Sequence, residues 1–193
     1  MKKFLIACLL FSATVFAQDD ESSKKGPVSA KKNEFRVDAL SLIAFGKANI
    51  SYERFGDGKW SYGVTGSFAF GDKFENDFDE GYRSTLPKYE VVPYIRYKMS
   101  NSDAHYYFIE GFISANGGDF REITRTDDGT VGFYQISKED YFSLAPGASV
   151  GYKVYFADSI ALEFLVGAGF NILDPDKSPD VISRIGLNLG YRF

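Results

Sequence analysis

The sequence predicts an all-β protein, an eight-stranded antiparallel transmembrane β-barrel of the up-and-down meander type. Three observations predict it. The chain ends in LNLGYRF, where Leu187, Leu189, Tyr191 and Phe193 alternate with Asn188, Gly190 and Arg192, the two-residue period of a strand with one lipid-facing side. The same alternation recurs from Phe35 onward between turn signals, with no convincing helical period. The connections between these segments alternate short and long, as they do in outer-membrane barrels.

The elements follow in order. Lys2 and Lys3 precede the uncharged apolar stretch Phe4 to Ala17, which reads as a secretory signal peptide over 1 to 17. Its fourteen residues are too few for the roughly 20 of a spanning helix. Leu5-Ile6-Ala7-Cys8 resembles a lipoprotein cleavage box, but it follows the lysines too closely for an apolar core, so cleavage after Ala17 is expected. Removing this segment takes away the one cysteine, and with it disulfides and thiolate chemistry. It also takes the net charge from −4 to −6. An acidic chain without clustered positive charge is no nucleic-acid binder. Residues 18 to 34, polar and centred on Gly26-Pro27, read as a disordered periplasmic spacer. The barrel domain is then 35 to 193.

Its strands are expected near 35 to 45, 47 to 55, 59 to 71, 88 to 99, 105 to 115, 140 to 155, 159 to 170 and 181 to 193. The turns at 55 to 59, 99 to 103 and 156 to 159 are tight, while 72 to 87, 116 to 139 and 171 to 180 are long and polar. Short turns belong in the periplasm and long loops outside, which places both termini in the periplasm and the chain in the cell outer membrane. The Gly46-Lys47 connection is short where an outer loop should stand.

Strand 59 to 71 sets Trp60, Tyr62, Val64, Phe68 and Phe70 against Ser61, Gly63, Thr65, Ser67 and Ala69; strand 159 to 170 sets Phe164 and Val166 against Glu163 and Gly167. A soluble ligand-carrying barrel would keep its larger apolar side chains inside. Here charged and small residues share one face, which can be the interior only if lipid solvates the other. Charge settles ambiguous strands, because an ionised group at mid-bilayer costs about 2 to 4 kcal/mol. Glu110 thereby turns Tyr106, Phe108, Phe112 and Ser114 inward, and Arg36 and Asp38 carry Leu40 and Leu42 with them. The interior then holds the acids Asp38, Glu53, Glu90, Glu110 and Glu163 and the bases Arg36, Arg96, Lys98, Lys153, Arg184 and Arg192. So balanced a set in a lumen only wide enough for side chains predicts an ion-pair network, a plug and not a pore. Aromatic girdles are expected from Tyr52, Phe55, Trp60, Tyr97, Tyr152, Tyr155, Tyr191 and Phe193 at the periplasmic end. Phe45, Phe68, Phe70, Tyr89, Phe142 and Phe170 supply the outer one.

The hairpin FGKANISYERFGDGKWSYGVTGSFAF and the terminal IGLNLGYRF resemble the small eight-stranded outer-membrane barrels. This class includes OmpX and the OmpA membrane domain, and the likeness is strongest to short barrels of Bacteroidetes-type bacteria. It implies an integral outer-membrane protein with a structural or interaction role through its outer loops, in contact with outer-membrane lipid and lipopolysaccharide. It further implies delivery by the barrel-assembly machinery, with Gly190, Tyr191 and Phe193 matching the small and aromatic positions of the terminal signal. A monomer is expected.

Two enzymes of this architecture, the lipid A palmitoyltransferase and deacylase, are similar in size and use a histidine beside serine and acid at the outer end. The one histidine here, His105, follows the 100 to 103 turn at the other end, so no enzyme is expected. The alternatives kept open are a lipid-modifying enzyme and a narrow channel for small molecules. The acidic outer loops lack the spacing of a calcium loop, and neither metal nor cofactor is expected.

Overall fold

In a computed structural model of the protein, residues 27–70, 72–127, 132–156 and 158–193 are described; the expected signal peptide and residues 18 to 26 of the spacer lie outside them. The elements are α1 (Pro27–Ala30), β1 (Asn33–Asp38), α2 (Ala39–Phe45), β2 (Lys47–Phe55), β3 (Trp60–Ala69), α3 (Asp72–Asp79), β4 (Thr85–Lys98), β5 (His105–Asp127), β6 (Gly132–Phe156), β7 (Ile160–Phe170) and β8 (Val181–Arg192). The eight strands form one closed antiparallel barrel in chain order. β1 pairs with β8 to complete the ring, Glu34 opposite Arg192 and Asp38 opposite Asn188. Among the described residues no helix is long and apolar enough to cross a membrane.

The two faces divide as the alternation predicts. In β3, Trp60, Tyr62 and Phe68 are more than half exposed, whereas Ser61, Thr65 and Ser67 are buried. In β5, Tyr106, Phe108, Glu110, Phe112 and Ser114 are buried while Tyr107, Ile109 and Ile113 are exposed. The barrel therefore wears its apolar side chains outside and encloses the ionised ones.

Glycines on the inner face make room for aromatic rings. A Cβ at Gly151 would stand 2.3 Å from the Phe108 ring, and one at Gly63 would stand 2.4 Å from the Tyr94 hydroxyl. Rings thus lie over the backbone of the neighbouring strand, Phe108 over its β6 partner Gly151 and Tyr94 over its β3 partner Gly63, which lets large side chains occupy an eight-stranded lumen.

Four expectations are corrected. The spacer does not run to residue 34: Pro27–Ala30 is a helical turn, Val28 is buried in a cluster with Tyr106 and Phe108, and β1 begins at Asn33. The first strand does not reach residue 45. Its residues 39 to 45 form α2, because Asp38 caps the helix by accepting from the Leu40 and Ser41 amides and Gly46 ends it in the left-handed conformation at φ 56°. Leu42 accordingly lies exposed rather than inside.

The loop expected at 116 to 139 is largely a ribbon. β4 accompanies β5 only to Phe120 and β7 accompanies β6 only from Gly147, yet β5 and β6 stay paired out to Asp127 and Gly132. The loop expected at 72 to 87 contains α3, and its last three residues already belong to β4. Arg121 of the ribbon donates to the Phe78 and Asp79 carbonyls at 2.8 and 2.7 Å, tying ribbon to helix.

Candidate functional site

The inner face of the barrel brings together residues from five strands that lie far apart in sequence. Glu34 and Arg36 come from β1, Glu53 from β2, Arg96 from β4, Lys153 from β6 and Glu163 from β7, all almost fully buried. The register places them at one height. Glu34 faces Glu53 across β1–β2, and Lys153 faces Glu163 across β6–β7.

Three cations and three carboxylates are interleaved there. The Lys153 ammonium donates to Glu34 at 2.7 Å and to Glu53 at 3.0 Å, and lies 3.0 Å from Glu163. Arg36 donates to Glu34 at 2.9 Å and to Glu53. Arg96 donates to Glu53 at 2.9 Å, to both oxygens of Glu163 at 2.7 and 3.1 Å, and through Nε to Glu110 at 2.6 Å. Its guanidinium also lies between the rings of Tyr94 and Phe108, 4.6 and 4.3 Å from their centroids. Charges this deep persist only when each is paired and hydrogen-bonded, and here each cation has several carboxylate partners.

Further pairs flank this layer on both sides. Toward the loop end Arg184 donates to Glu110 at 2.8 Å and Lys47 to Glu90 at 2.8 Å. Toward the turn end Tyr155 donates to Glu34 at 2.5 Å and receives Arg192 at 3.0 Å, and Lys98 meets Asp103 at 2.5 Å.

Of the eleven expected interior residues, Arg36, Glu53, Arg96, Glu110, Lys153, Glu163 and Arg184 form one connected ion-pair network, and Glu90 forms a separate pair with Lys47. Three take other partners. Asp38 caps α2 and accepts from Asn49 and the Leu187 amide, Lys98 pairs at the turn rim, and Arg192 serves the Tyr155 hydroxyl and the Lys31 carbonyl. Glu34 and Lys47 were missed. Glu34 shares the parity of Arg36, and Lys47 that of Glu53; residue 34 falls in the expected spacer, and 47 at the very start of the expected second strand, beside the Gly46-Lys47 connection.

Tyr155, expected in the lower girdle, points inward to Glu34, and Phe55 lies under the Arg192 guanidinium at 3.6 Å. The outward girdle residues remain, Trp60 edge-on to Tyr97 at 4.9 Å and Phe35 stacked on Phe193 at 5.7 Å. The side chain of Phe45 lies outside the described residues.

The network divides the lumen. A 420 Å³ cavity opens toward the loop end and a 240 Å³ cavity toward the turn end, and Arg96 lines both. The carboxylates of Glu34, Glu53 and Glu163 approach within 4.8 Å of one another, close enough for a metal, but Arg36, Arg96 and Lys153 already neutralise them. His105 is at the turn end of β5, where its backbone amide donates to Ser102 and its carbonyl accepts from Ser100.

No family model matches the chain, and no curated protein matches it. Among solved structures it is similar to the N-terminal β-barrel domain of Pseudomonas aeruginosa OprF, at TM-score 0.55 and 10% identity, over 84% of this chain and 98% of that one. It is likewise similar to Neisserial surface protein A, NspA, at TM-score 0.51 and 11% identity, over 84% of this chain and 95% of the other. At such identities the likeness is one of fold, that of the small eight-stranded outer-membrane barrels.

Proposed function

We propose that the chain is an integral outer-membrane protein of structural or interaction type, its lumen closed by ion pairs and its biological contacts made through the loop end. The observation that carries this reading is the inverted polarity. Ile109, Ile113, Val150, Phe164, Val166 and Ile185 are all about half exposed around the wall, while Arg36, Lys153 and Glu163 are sealed within. In water that arrangement would expose a continuous apolar cylinder and bury charges for no gain; in a bilayer it satisfies both solvents.

Short turns in the periplasm put both termini there and the β5–β6 ribbon outside, where it would meet lipopolysaccharide and any partner. Gly190, Tyr191 and Phe193 at the end of β8 are read as the assembly signal for the barrel-assembly machinery. With His105 at the turn end, the reading is non-enzymatic.

The test combines two measurements on cells. Unboiled protein should migrate differently from boiled protein in a denaturing gel, and protease added outside should cut within 116 to 139 while leaving the barrel intact. Protein that stays in solution without detergent, or is cut only after the outer membrane is breached, refutes the placement.

A further inference from the structure

The turn end of the barrel holds two positive charges that no carboxylate answers. Its 240 Å³ cavity is lined by three carboxylates, and each already has its cation. Asp57 meets Lys32 at 2.5 Å, Asp103 meets Lys98 at 2.5 Å, and Glu53 takes Arg96 at 2.9 Å inside the network. That network is itself balanced, with Glu34, Glu53, Glu110 and Glu163 against Arg36, Arg96, Lys153 and Arg184. Two further cations line the same cavity, Arg192 and Lys59. Neither forms an ion pair among the described residues.

Arg192 is the more unusual of the two, because it is only 6% exposed. Glu34 stands directly opposite it on β1, but one Glu34 oxygen takes Lys153 and Arg36 and the other takes the Tyr155 hydroxyl. Arg192 is left with neutral acceptors. Its Nε donates to the Lys31 carbonyl at 2.8 Å and its Nη1 to the Tyr155 hydroxyl at 3.0 Å, while Nη2 has no partner among the described residues. The guanidinium lies 3.6 Å from the centroid of the Phe55 ring, which holds it in place. Buried charges persist when they are paired, and here the place of the counter-ion is open.

Lys59 belongs to the turn between β2 and β3, in the same hairpin as Phe55. Among the described residues only its backbone carbonyl is engaged, by the Lys98 amide at 2.8 Å. Its ammonium can therefore meet whatever Arg192 holds. Trp60, which follows it and is more than half exposed on the wall, also lines the cavity, so the opening reaches the rim.

Two positive charges, one of them a planar fork with a spare donor, match inorganic phosphate or a phosphate monoester. Such a group carries about −1.5 to −2 at pH 7 and offers three acceptor oxygens. A single carboxylate would leave one charge over. We propose that the turn-end cavity is an oxyanion site that binds a phosphate group between Arg192 and Lys59. The ion-pair network separates this site from the cavity that faces the loops. The site needs only the closed barrel; supply of its phosphate from the periplasm, free or on a lipid head group, rests on the reading above.

The experiment uses the full chain folded in phosphate-free maltoside detergent, with heat-dependent gel mobility checked first for every variant. Inorganic phosphate is titrated at constant ionic strength against sodium chloride. Binding is read by calorimetry together with the emission of Trp60, the one tryptophan of the chain. Saturable one-to-one binding is expected. Arg192→Gln should weaken it about tenfold, the share of a charge-assisted hydrogen bond, and Lys59→Gln about threefold. Lys138→Gln, in the outer ribbon, should leave it unchanged. Dihexanoyl phosphatidate and dihexanoyl phosphatidylcholine are then added as competitors. Phosphatidate acting at lower concentration than inorganic phosphate assigns the site to a lipid head group, and the reverse order assigns it to free phosphate; phosphatidylcholine, which has no net charge, should not compete. Absence of saturable binding, equal binding of chloride, competition by phosphatidylcholine as readily as by phosphatidate, or wild-type affinity in Lys59→Gln and in a folded Arg192→Gln overturns the site. Should Arg192→Gln fail to fold, wild-type affinity in Lys59→Gln alone overturns it. A wild-type chain without a heat-dependent gel shift overturns the closed barrel instead.

Discussion

Lys153 of β6 donates to Glu34 of β1 at 2.7 Å across the middle of the barrel, joining residues 119 apart in sequence with both side chains fully buried. The pair spans the lumen and links the first strand to the sixth, which gives it both a mechanical and an electrostatic role.

Substituting one partner leaves the other charged and buried. Lys153→Met is expected to destabilise the barrel by about 3 to 5 kcal/mol, read as a fall in the denaturant or heat midpoint of the gel-mobility transition. Adding Glu34→Gln to Lys153→Met should recover part of the loss, because the stranded carboxylate goes with it. If Lys153→Met unfolds at the wild-type midpoint, the network adds nothing to stability.

Arg96 is the partition between the two cavities, so the wild-type protein should give flat planar-bilayer recordings. Arg96→Ala should join the cavities and leave Glu53, Glu110 and Glu163 short of positive charge. Small cation-favouring current steps are expected from that variant. Porin-sized steps from the wild type contradict a plugged lumen.

Gly151 leaves no room for a larger residue: a Cβ would be 2.3 Å from the Phe108 ring and 2.5 Å from the Phe164 carbonyl oxygen. Gly151→Val should cost about 1 to 3 kcal/mol or prevent folding, and Phe108→Ala in the same chain should relieve part of it. Gly111→Ala meets nothing nearer than Ile95 at 4.0 Å and serves as the tolerated control. Equal tolerance of both glycine substitutions would contradict the packed interior.

Deleting Phe193 removes the ring stacked on Phe35 and the backbone pair with Asn33. Slower insertion and periplasmic aggregates are expected, with Phe193→Tyr near normal. Unchanged surface levels of the deletion would count against the assembly signal.

Carboxylates of the outer segments already have ammonium partners: Asp79 with Lys138 at 2.7 Å, Asp119 with Lys88 at 2.7 Å, and Glu139 with Lys177 at 2.5 Å. The hydrogen bond from Lys177 to Glu139 raises the pKa of that ammonium above its ordinary value. Millimolar calcium should therefore leave the melting transition unmoved. A calcium-dependent rise would assign these segments to divalent ions.

The barrel and most of its interior network were legible because the bilayer imposes a strict two-residue period, and a single charge such as Glu110 fixes the parity of a whole strand. Legibility failed where other physics prevailed. ALSLIAF satisfies a strand's alternation loosely, but Asp38 before it and Gly46 after it are a helix start and stop, and those local hydrogen bonds decided the outcome. The β5–β6 ribbon escaped notice because strands standing in water need no apolar face, so polarity no longer separates strand from loop. Glu34 was hidden by the polar composition around it, although it shares parity with Arg36.

Pairing of the first strand with the last gives the molecule an all-or-nothing character. Until β8 has been synthesised, β1 has one open edge and Arg36, Arg96 and Lys153 lack the ring that brings their carboxylates within reach, so no shortened version can be a smaller working copy. All eight strands are needed before the ring can latch.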